Sequence, residues 1–431
     1  MQDIKDETPA RAALAAVDTG AYDAEESLAE LAELARTTGA EVVFTMVQNR
    51  GAPDNASYFG QGKLEELKEA CEAQEIDLLL CDDELSPAQL RNIEQFLNPD
   101  EREAKLKIRV ADRTMLILDI FAMRAKSREG KLQVDLAQLK YSLPRLQGQW
   151  YGLSRQGGGI GTRGRGETKF ETDRRHVKTR IRKLEAQLRE LEQQRGLLRE
   201  RRRKNRAETV AIVGYTNVGK STLMNALTGA GVLAEDKLFA TLDPTARRLT
   251  LPDGRNIMLI DTVGLLRRLP HSLVEAFHST LEEARAADLI LNLCDAASPD
   301  CQEQLSVTAD LLRELGCDEA GIPVLRVLNK CDLAPPDILA LPVAGCVRIS
   351  ALTGEGLQGL LLAIANALPN DRTAVRLLLP YELSAWSARL RALGRVDTEE
   401  YRENGVYYEA VLPAWLLEEC AAAGGELLPD K

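Results

Sequence analysis

Gly214-Tyr-Thr-Asn-Val-Gly-Lys-Ser221 lies between the apolar run Thr209–Val213 and the helical pattern Thr222–Thr228. No other stretch limits the possible folds so tightly. G-x-x-x-x-G-K-S needs a strand that delivers the chain into a turn and glycines that bare its backbone. It also needs a helix whose first N–H groups face that turn. Such an arrangement belongs to a β-α-β layer, where successive N–H groups surround phosphates. Lys220 then reaches the β- and γ-phosphates, and the Ser221 hydroxyl ligates Mg²⁺. Gly214, Tyr215, Thr216, Asn217, Val218, Gly219, Lys220, Ser221 and Thr222 are therefore expected at the nucleotide.

Three shorter motifs follow in order, each at the end of an apolar run. Asp261-Thr262-Val263-Gly264 ends Ile257–Ile260. A carboxylate there can hold magnesium through water, and the Gly264 N–H can report the γ-phosphate. Asn329-Lys330-Cys331-Asp332 follows Val324–Leu328. Asp332 can accept from N1–H and the exocyclic amine of guanine, a pairing that adenine cannot offer. Ser350-Ala351-Leu352 follows Val347–Ile349 and fits a loop that closes on the base. The four motifs together read as a GTPase domain that binds GTP and GDP with Mg²⁺.

Switch I must bring a second hydroxyl to Mg²⁺ when GTP is bound. Phe239-Ala240-Thr241-Leu242-Asp243 lies between the P-loop helix and the next strand, so Thr241 is expected to join Ser221 as a metal ligand, with Thr245 as its competitor. Lys220, Thr241, Asp261 and Gly264 are the expected catalytic set. Where Ras-like GTPases carry a water-orienting glutamine, this chain has Leu265, followed by Leu266. An aliphatic side chain cannot orient water, so intrinsic hydrolysis should be slow and helped by a partner or an ion. Asn217 resembles the asparagine that coordinates K⁺ in cation-activated GTPases, an ion able to replace part of an arginine finger.

The net charge of −11 argues against a nucleic-acid partner until it is divided along the chain. Arg145–Arg206 holds 19 Lys+Arg and 7 Asp+Glu, a charge of +12 that leaves −23 on the other 369 residues. A basic segment in an acidic chain is the footprint of a polyanion. Two heptad stripes flank its start. Leu132, Leu136, Leu139, Leu143 and Leu146 form the first, and Val177, Ile181, Leu184, Leu188, Leu191 and Leu198 the second, with Arg195 in one apolar slot. They predict an antiparallel helical hairpin, its second helix opened by the Thr168/Glu171 capping box. The connection Gln147–Gly166 has eight glycines in twenty residues, with Trp150, Tyr151, Arg155, Arg163 and Arg165. Its G-x-G-x-x-G at Gly159–Gly164 follows no strand and is not a dinucleotide site. Flexible, basic and aromatic, the loop suits RNA. Trp150, Arg155, Arg163, Arg165, Arg174, Arg175 and Lys178 are the expected RNA contacts.

The rest fills in four domains. Residues 1–128 alternate strands (Val42–Val47, Ile76–Cys81, Lys107–Ala111) with helices (Lys63–Ala73, Pro87–Leu97, Arg113–Arg124), while 1–38 read as Ala- and acid-rich with a helix near Leu28–Leu34. Residues 129–206 form the basic hairpin, 207–370 the GTPase domain, and 371–431 a small domain with a strand at Val406–Leu412. The expected class is α/β: a P-loop GTPase domain preceded by a small α/β domain with a long antiparallel hairpin, and followed by a small α+β domain. No apolar stretch approaches the ~18 residues a membrane span requires, and MQDIKDETPA carries no secretory signal. Eight cysteines without C-x-x-C spacing read as reduced cytosolic thiols. With only three histidines, a His-based metal site or a Ser-His triad has little to draw on.

Longer strings carry a family resemblance. Gly60–Leu67, Asp83–Leu90, Asp112-Arg-Thr with Ile117–Phe121, Ala125–Lys140, Ser154–Gly161, Gly214–Asn217, Phe239–Thr245 and Asp261–Gly264 resemble the HflX-type ribosome-associated GTPases over residues 40–370. The resemblance implies a cytoplasmic protein, monomeric off the ribosome. It implies binding to the large ribosomal subunit, with the helical domain pushed toward the peptidyl-transferase region of 23S rRNA. Stalled 70S ribosomes are separated, and GTP hydrolysis permits release. It also raises an N-terminal ATP activity, to which Gly60-Gln-Gly62-Lys63 would belong unless that string is a plain strand-to-helix turn. Gly164-Arg-Gly-Glu-Thr-Lys-Phe-Glu171 departs from the family's Gly-Pro-Gly-Glu-Thr-Gln-Leu-Glu, and Leu265 replaces its usual phenylalanine. Two alternatives stand beside this reading: a ribosome-assembly or RNA-modification GTPase, and a signalling GTPase with a protein partner.

Overall fold

The computed structural model describes residues 9–99, 107–146, 169–204, 208–229, 239, 245–268, 270, 283–335, 345–368 and 372–428. The chain forms two compact units. The first comprises residues 1–198, 235–243 and 266–279, the second 199–234, 244–265 and 280–431.

In the first unit, β1 (Arg11–Asp18), α1 (Ala24–Thr37), β2 (Glu41–Asn49), α2 (Gln61–Ala73), β3 (Leu78–Cys81), α3 (Pro87–Leu97), β4 (Arg109–Asp112) and α4 (Arg113–Arg124) alternate along the chain. The strands form a parallel sheet in the order β2-β1-β3-β4. Strand β1 corrects the reading of residues 1–38: its Ala12–Val17 stretch is fully buried. Alanine ranks low among strand formers, yet in a parallel strand covered on both faces its small side chain lets helices pack close. Helix α3 starts with the capping box that Ser86 and Gln89 spell, and α4 with the Asp112 carboxylate accepting from the Met115 N–H.

Helices α5 (Arg128–Ser142) and α6 (Lys169–Lys204) carry the two leucine stripes. Leu136, Val177, Ile181 and Leu184 are buried in one seam, with Leu132, Leu139, Leu143, Leu146 and Leu188 packed around it. The ion pairs Glu129–Arg195 and Lys140–Glu185 run in opposite sequence directions, so the helices are antiparallel. Arg195, placed in an apolar slot of the stripe, is answered there by Glu129. The Thr168/Glu171 capping pattern includes Thr168, outside the described residues.

The second unit has two sheets. β5 (Thr209–Gly214), α7 (Lys220–Thr228), β6 (Thr245–Thr250), β7 (Asn256–Asp261), β8 (Leu289–Asp295), α8 (Cys301–Glu314), β9 (Val324–Asn329), β10 (Cys346–Arg348) and α9 (Leu357–Ala367) make the first. Its strand order is β10-β9-β8-β5-β7-β6, with only β6 antiparallel among the described strands. β11 (Arg372–Leu379), α10 (Ala385–Leu393), β12 (Arg395–Arg402), β13 (Gly405–Pro413), α11 (Ala414–Ala422) and β14 (Glu426–Leu428) make the second, an antiparallel sheet ordered β12-β13-β11-β14. Of these four strands the sequence reading found only β13. No helix among the described residues is long and apolar enough to cross a membrane.

Candidate nucleotide site

Strand β5 is fully buried between β7 and β8, and its end delivers Gly214 into the loop that precedes α7. Gly219 turns the chain into the helix at φ +92°, where a side chain would be strained and would meet Asn329. Asn217 also has positive φ, at 60°. The loop therefore presents backbone at the N-terminus of α7, as an anion-binding turn requires.

Lys220 is the first residue of α7 and is buried. Its Nζ donates to the Gly214 carbonyl at 3.1 Å and the Tyr215 carbonyl at 2.6 Å. Burial pushes its ammonium down to about 8, against an upward pull from the Asp261 carboxylate. Ser221 Oγ donates to Asp261 Oδ2 at 2.8 Å, bringing together two hard oxygen donors predicted at separate motifs. Asp261, at the end of β7, lies opposite Thr245 of β6. Next to it, Thr262 is anchored by its hydroxyl on the Ile212 carbonyl at 2.7 Å.

Beyond Asp261 the chain closes on the P-loop. Thr216 N–H donates to the Leu265 carbonyl at 2.8 Å, and Leu265 N–H to the Gly214 carbonyl at 3.1 Å. A Cβ on Gly264 would stand 2.7 Å from Thr216 Cγ2 and 3.1 Å from Lys220 Nζ, so only glycine passes there. Leu265, at the position of the missing glutamine, is buried.

The other side of the site is tied together by Asn329. Its Nδ2 donates to the Val218 carbonyl at 2.7 Å, and its Oδ1 accepts from the Ala351 N–H at 2.8 Å. One amide thus joins the P-loop, the Asn329–Asp332 segment and the Ser350–Leu352 loop. Lys330 Nζ pairs with Asp295 at 2.8 Å, Asp332 is exposed, and Ser350 is buried with its Oγ accepting from the Thr353 N–H. Leu352 is 80% exposed. Phe239 packs edge-to-face on Phe121, with ring centroids 4.6 Å apart. Ala240, Thr241, Leu242 and Asp243 lie outside the described residues, as do Trp150, Arg155, Arg163 and Arg165. Arg174, Arg175 and Lys178 are exposed on α6. Gly60 caps the start of α2 after the loop that follows β2, and Lys63 pairs with Glu66.

The first unit holds a polar cluster that sequence reasoning missed. Arg268 pairs with Asp82 at 2.8 Å and with Asp83, and its guanidinium lies 3.8 Å from the centre of the Tyr22 ring. Arg267 pairs with Glu26, and Arg113 donates to the Arg267 carbonyl at 3.2 Å while pairing with Asp82 at 2.9 Å. Consecutive arginines just past Asp261–Gly264 were the visible signal. Their partners lie between 154 and 241 residues away in sequence, and no periodicity connects them.

Strand order, P-loop, buried lysine and the serine–carboxylate pair define a P-loop GTPase, an enzyme that binds guanine nucleotide and hydrolyses GTP. Three family models match the chain: "GTP-binding GTPase N-terminal" over residues 25–122, "GTP-binding GTPase Middle Region" over 124–202 and "50S ribosome-binding GTPase" over 209–330. GTPase HflX of Caldanaerobacter subterraneus subsp. tengcongensis is 50% identical over 400 residues, 93% of this chain and 90% of that one. GTPase HflX of Escherichia coli (strain K12) is 42% identical over 385 residues, 88% of each chain. The chain belongs to the GTPase HflX family. A GTP-binding protein from Sulfolobus solfataricus, solved with GDP, is 27% identical with a TM-score of 0.42, over 83% of this chain and 98% of that one.

Proposed function

We propose that this GTPase binds the large ribosomal subunit through its basic hairpin and separates stalled 70S ribosomes in the cytoplasm, with GTP hydrolysis permitting release. The carrying observation is the charge of +12 on Arg145–Arg206, set against −23 elsewhere. The buried α5–α6 seam turns the charged residues of α6 outward: Arg174, Arg175, Lys178, Arg182, Lys183 and Arg189 are all exposed. Such a face suits the phosphates of 23S rRNA near the peptidyl-transferase region, with the arginines and Trp150 of the connecting loop as further contacts. The "50S ribosome-binding" description of the matching family model supports the same partner. Off the ribosome the protein is a monomer. Its working domains are 1–128, 129–206, 207–370 and 371–431.

At the nucleotide, Lys220 takes the β- and γ-phosphates and Asp332 reads guanine. The fit for Mg²⁺ rests on Ser221 and Asp261: a hydroxyl and a carboxylate 2.8 Å apart are the hard donors this ion prefers, the rest of its shell being water and phosphate. Thr241 completes the set in the GTP state, with Gly264 reporting the γ-phosphate. The buried Leu265 leaves water orientation to an ion or partner, and in this reading Asn217 holds a K⁺ that takes that part. GTPase rates should accordingly be higher in KCl than in NaCl; equal rates remove that role for Asn217.

Sedimentation of 70S ribosomes with the protein and a non-hydrolysable GTP analogue tests the proposal. Conversion of the 70S peak to subunits is expected, with the protein travelling on the large one. An unchanged 70S peak and no co-sedimentation would falsify it.

A further inference from the structure

Four of the eight cysteines gather in one place in the second unit. Cys294 and Cys301 are buried in a small cluster with Ala296 and Leu328, and Cys331 and Cys346 pack against it. All eight cysteines are free, and the nucleotide chemistry above uses none of their thiols. Two of the four are in direct contact: Cys294 Sγ lies 2.8 Å from Cys301 Sγ and 3.0 Å from the Cys301 carbonyl.

The two sulfurs have different surroundings. Cys294 sits at the end of β8 with no exposure, whereas Cys301 is 9% exposed and is the first residue of the fourteen-residue helix α8. A helix N-terminus favours a thiolate, because the unpaired N–H groups there carry partial positive charge. The Cys294 S–H, donating to Cys301, draws the Cys301 thiol further below its ordinary range, although burial and Asp295 act in the opposite sense. One reactive, slightly exposed sulfur backed by a buried partner is the arrangement of a cysteine pair that closes on oxidation.

The loop between them holds the guanine-side segment. Asp295 pairs with Lys330 at 2.8 Å, and the Ala296 N–H donates to the Asn329 carbonyl at 2.8 Å. Linking Cys294 to Cys301 ties the start of α8 to the end of β8 across that loop.

We infer that Cys301 and Cys294 are a peroxide-sensitive thiol pair, closed by hydrogen peroxide to an intramolecular disulfide that loosens the hold of Asn329–Asp332 on guanine nucleotide. In the first step the Cys301 thiolate attacks a peroxide oxygen. An S–O bond forms, the O–O bond breaks, and the departing hydroxide takes the proton that the Cys301 thiol released on ionising, leaving as water. In the second, the Cys294 sulfur attacks the sulfenic sulfur. The S–S bond forms, the S–O bond breaks, and hydroxide leaves with the Cys294 proton as a second water. Two thiols lose two electrons and one peroxide gains them. The nucleotide half rests on the guanine-recognition reading of Asp332; the disulfide half does not.

The full-length protein, treated with hydrogen peroxide, quenched with iodoacetamide and digested with trypsin, tests both halves. The peptide Ala286–Arg313 contains Cys294, Cys301 and no other cysteine. Untreated protein should give this peptide doubly alkylated. Peroxide should give it unalkylated and lighter by two hydrogens than the dithiol, with dithiothreitol restoring alkylation. Cys294→Ser and Cys301→Ser should each abolish the loss of two hydrogens. A peptide that stays doubly alkylated, or one with Cys301 over-oxidised and Cys294 still alkylated, overturns the pair. Release of fluorescent GDP should be about fivefold faster in oxidised wild type, the scale expected for disturbing one partly exposed ion pair. It should be unchanged by peroxide in Cys301→Ser. A disulfide that leaves the release rate unaltered overturns the coupling. Retained guanine preference in Asp332→Asn would instead overturn the recognition reading on its own.

Discussion

Lys220 shows how a single residue carries opposing demands. The phosphate role proposed for it needs a positive charge, yet burial holds its ammonium down at about 8. Between about pH 8 and the ordinary lysine range near 10.4, the unfolded chain keeps a proton that the nucleotide-free folded chain has released. The unfolded state binds more protons there, so the contribution of this site to stability rises with pH. Melting the nucleotide-free protein beside Lys220→Met should show the variant's advantage shrinking as pH is raised through that window. A pH-independent difference would mean that Lys220 keeps an ordinary lysine's affinity for its proton. The residue types at this site were legible in the sequence because each motif is contiguous. Asn329 was legible only in part: its place in Asn329–Asp332 was plain, but its amide bridging Val218 to Ala351 appears only once three loops meet.

At the scale of elements, the leucine stripes foretold the α5–α6 seam, and its single irregular position explains itself. Arg195 faces Glu129, and both side chains are about one-fifth exposed, at 19% and 23%. Replacing Arg195 with leucine leaves a largely buried carboxylate without that arginine and should cost about 1 kcal/mol. Adding Glu129→Leu should return most of that loss. Thermal melting of the two variants checks this, and a double variant no more stable than the single one contradicts it. Helices α3 and α4 could be read to their end residues because Ser86 and Asp112 cap them and their apolar spacing is regular. Strand β1 could not, since Ala12–Val17 has no alternation and alanine favours helix when read locally. Its strand state comes from pairing with β2 and β3, contacts that local sequence does not contain. Most of the last sheet was missed for the same reason, its four strands being defined by antiparallel partners drawn from across the region after residue 371.

For the whole molecule, charge is the property that joins chemistry to partner. A net −11 conceals a +12 segment, and the fold keeps part of it available: leucines fill the α5–α6 seam, while Arg174, Arg175, Lys178, Arg182, Lys183 and Arg189 stand exposed on α6. Phosphate contacts of this kind release counterions, so binding should weaken steeply as salt rises. Neutralising three exposed side chains of α6 in Arg174→Gln/Arg175→Gln/Lys178→Gln removes positive charge without touching the buried seam or the P-loop. The most direct test is co-sedimentation of wild type and this variant with purified large subunits in a GTP analogue and in GDP, across a range of KCl. Binding by wild type is expected in the analogue state, with a salt dependence that is less steep in the variant and an affinity at least about tenfold weaker, a loss of ~1.4 kcal/mol. Equal binding by the two proteins at every salt concentration would contradict the account, because the hairpin's charge would then play no part in holding the ribosome.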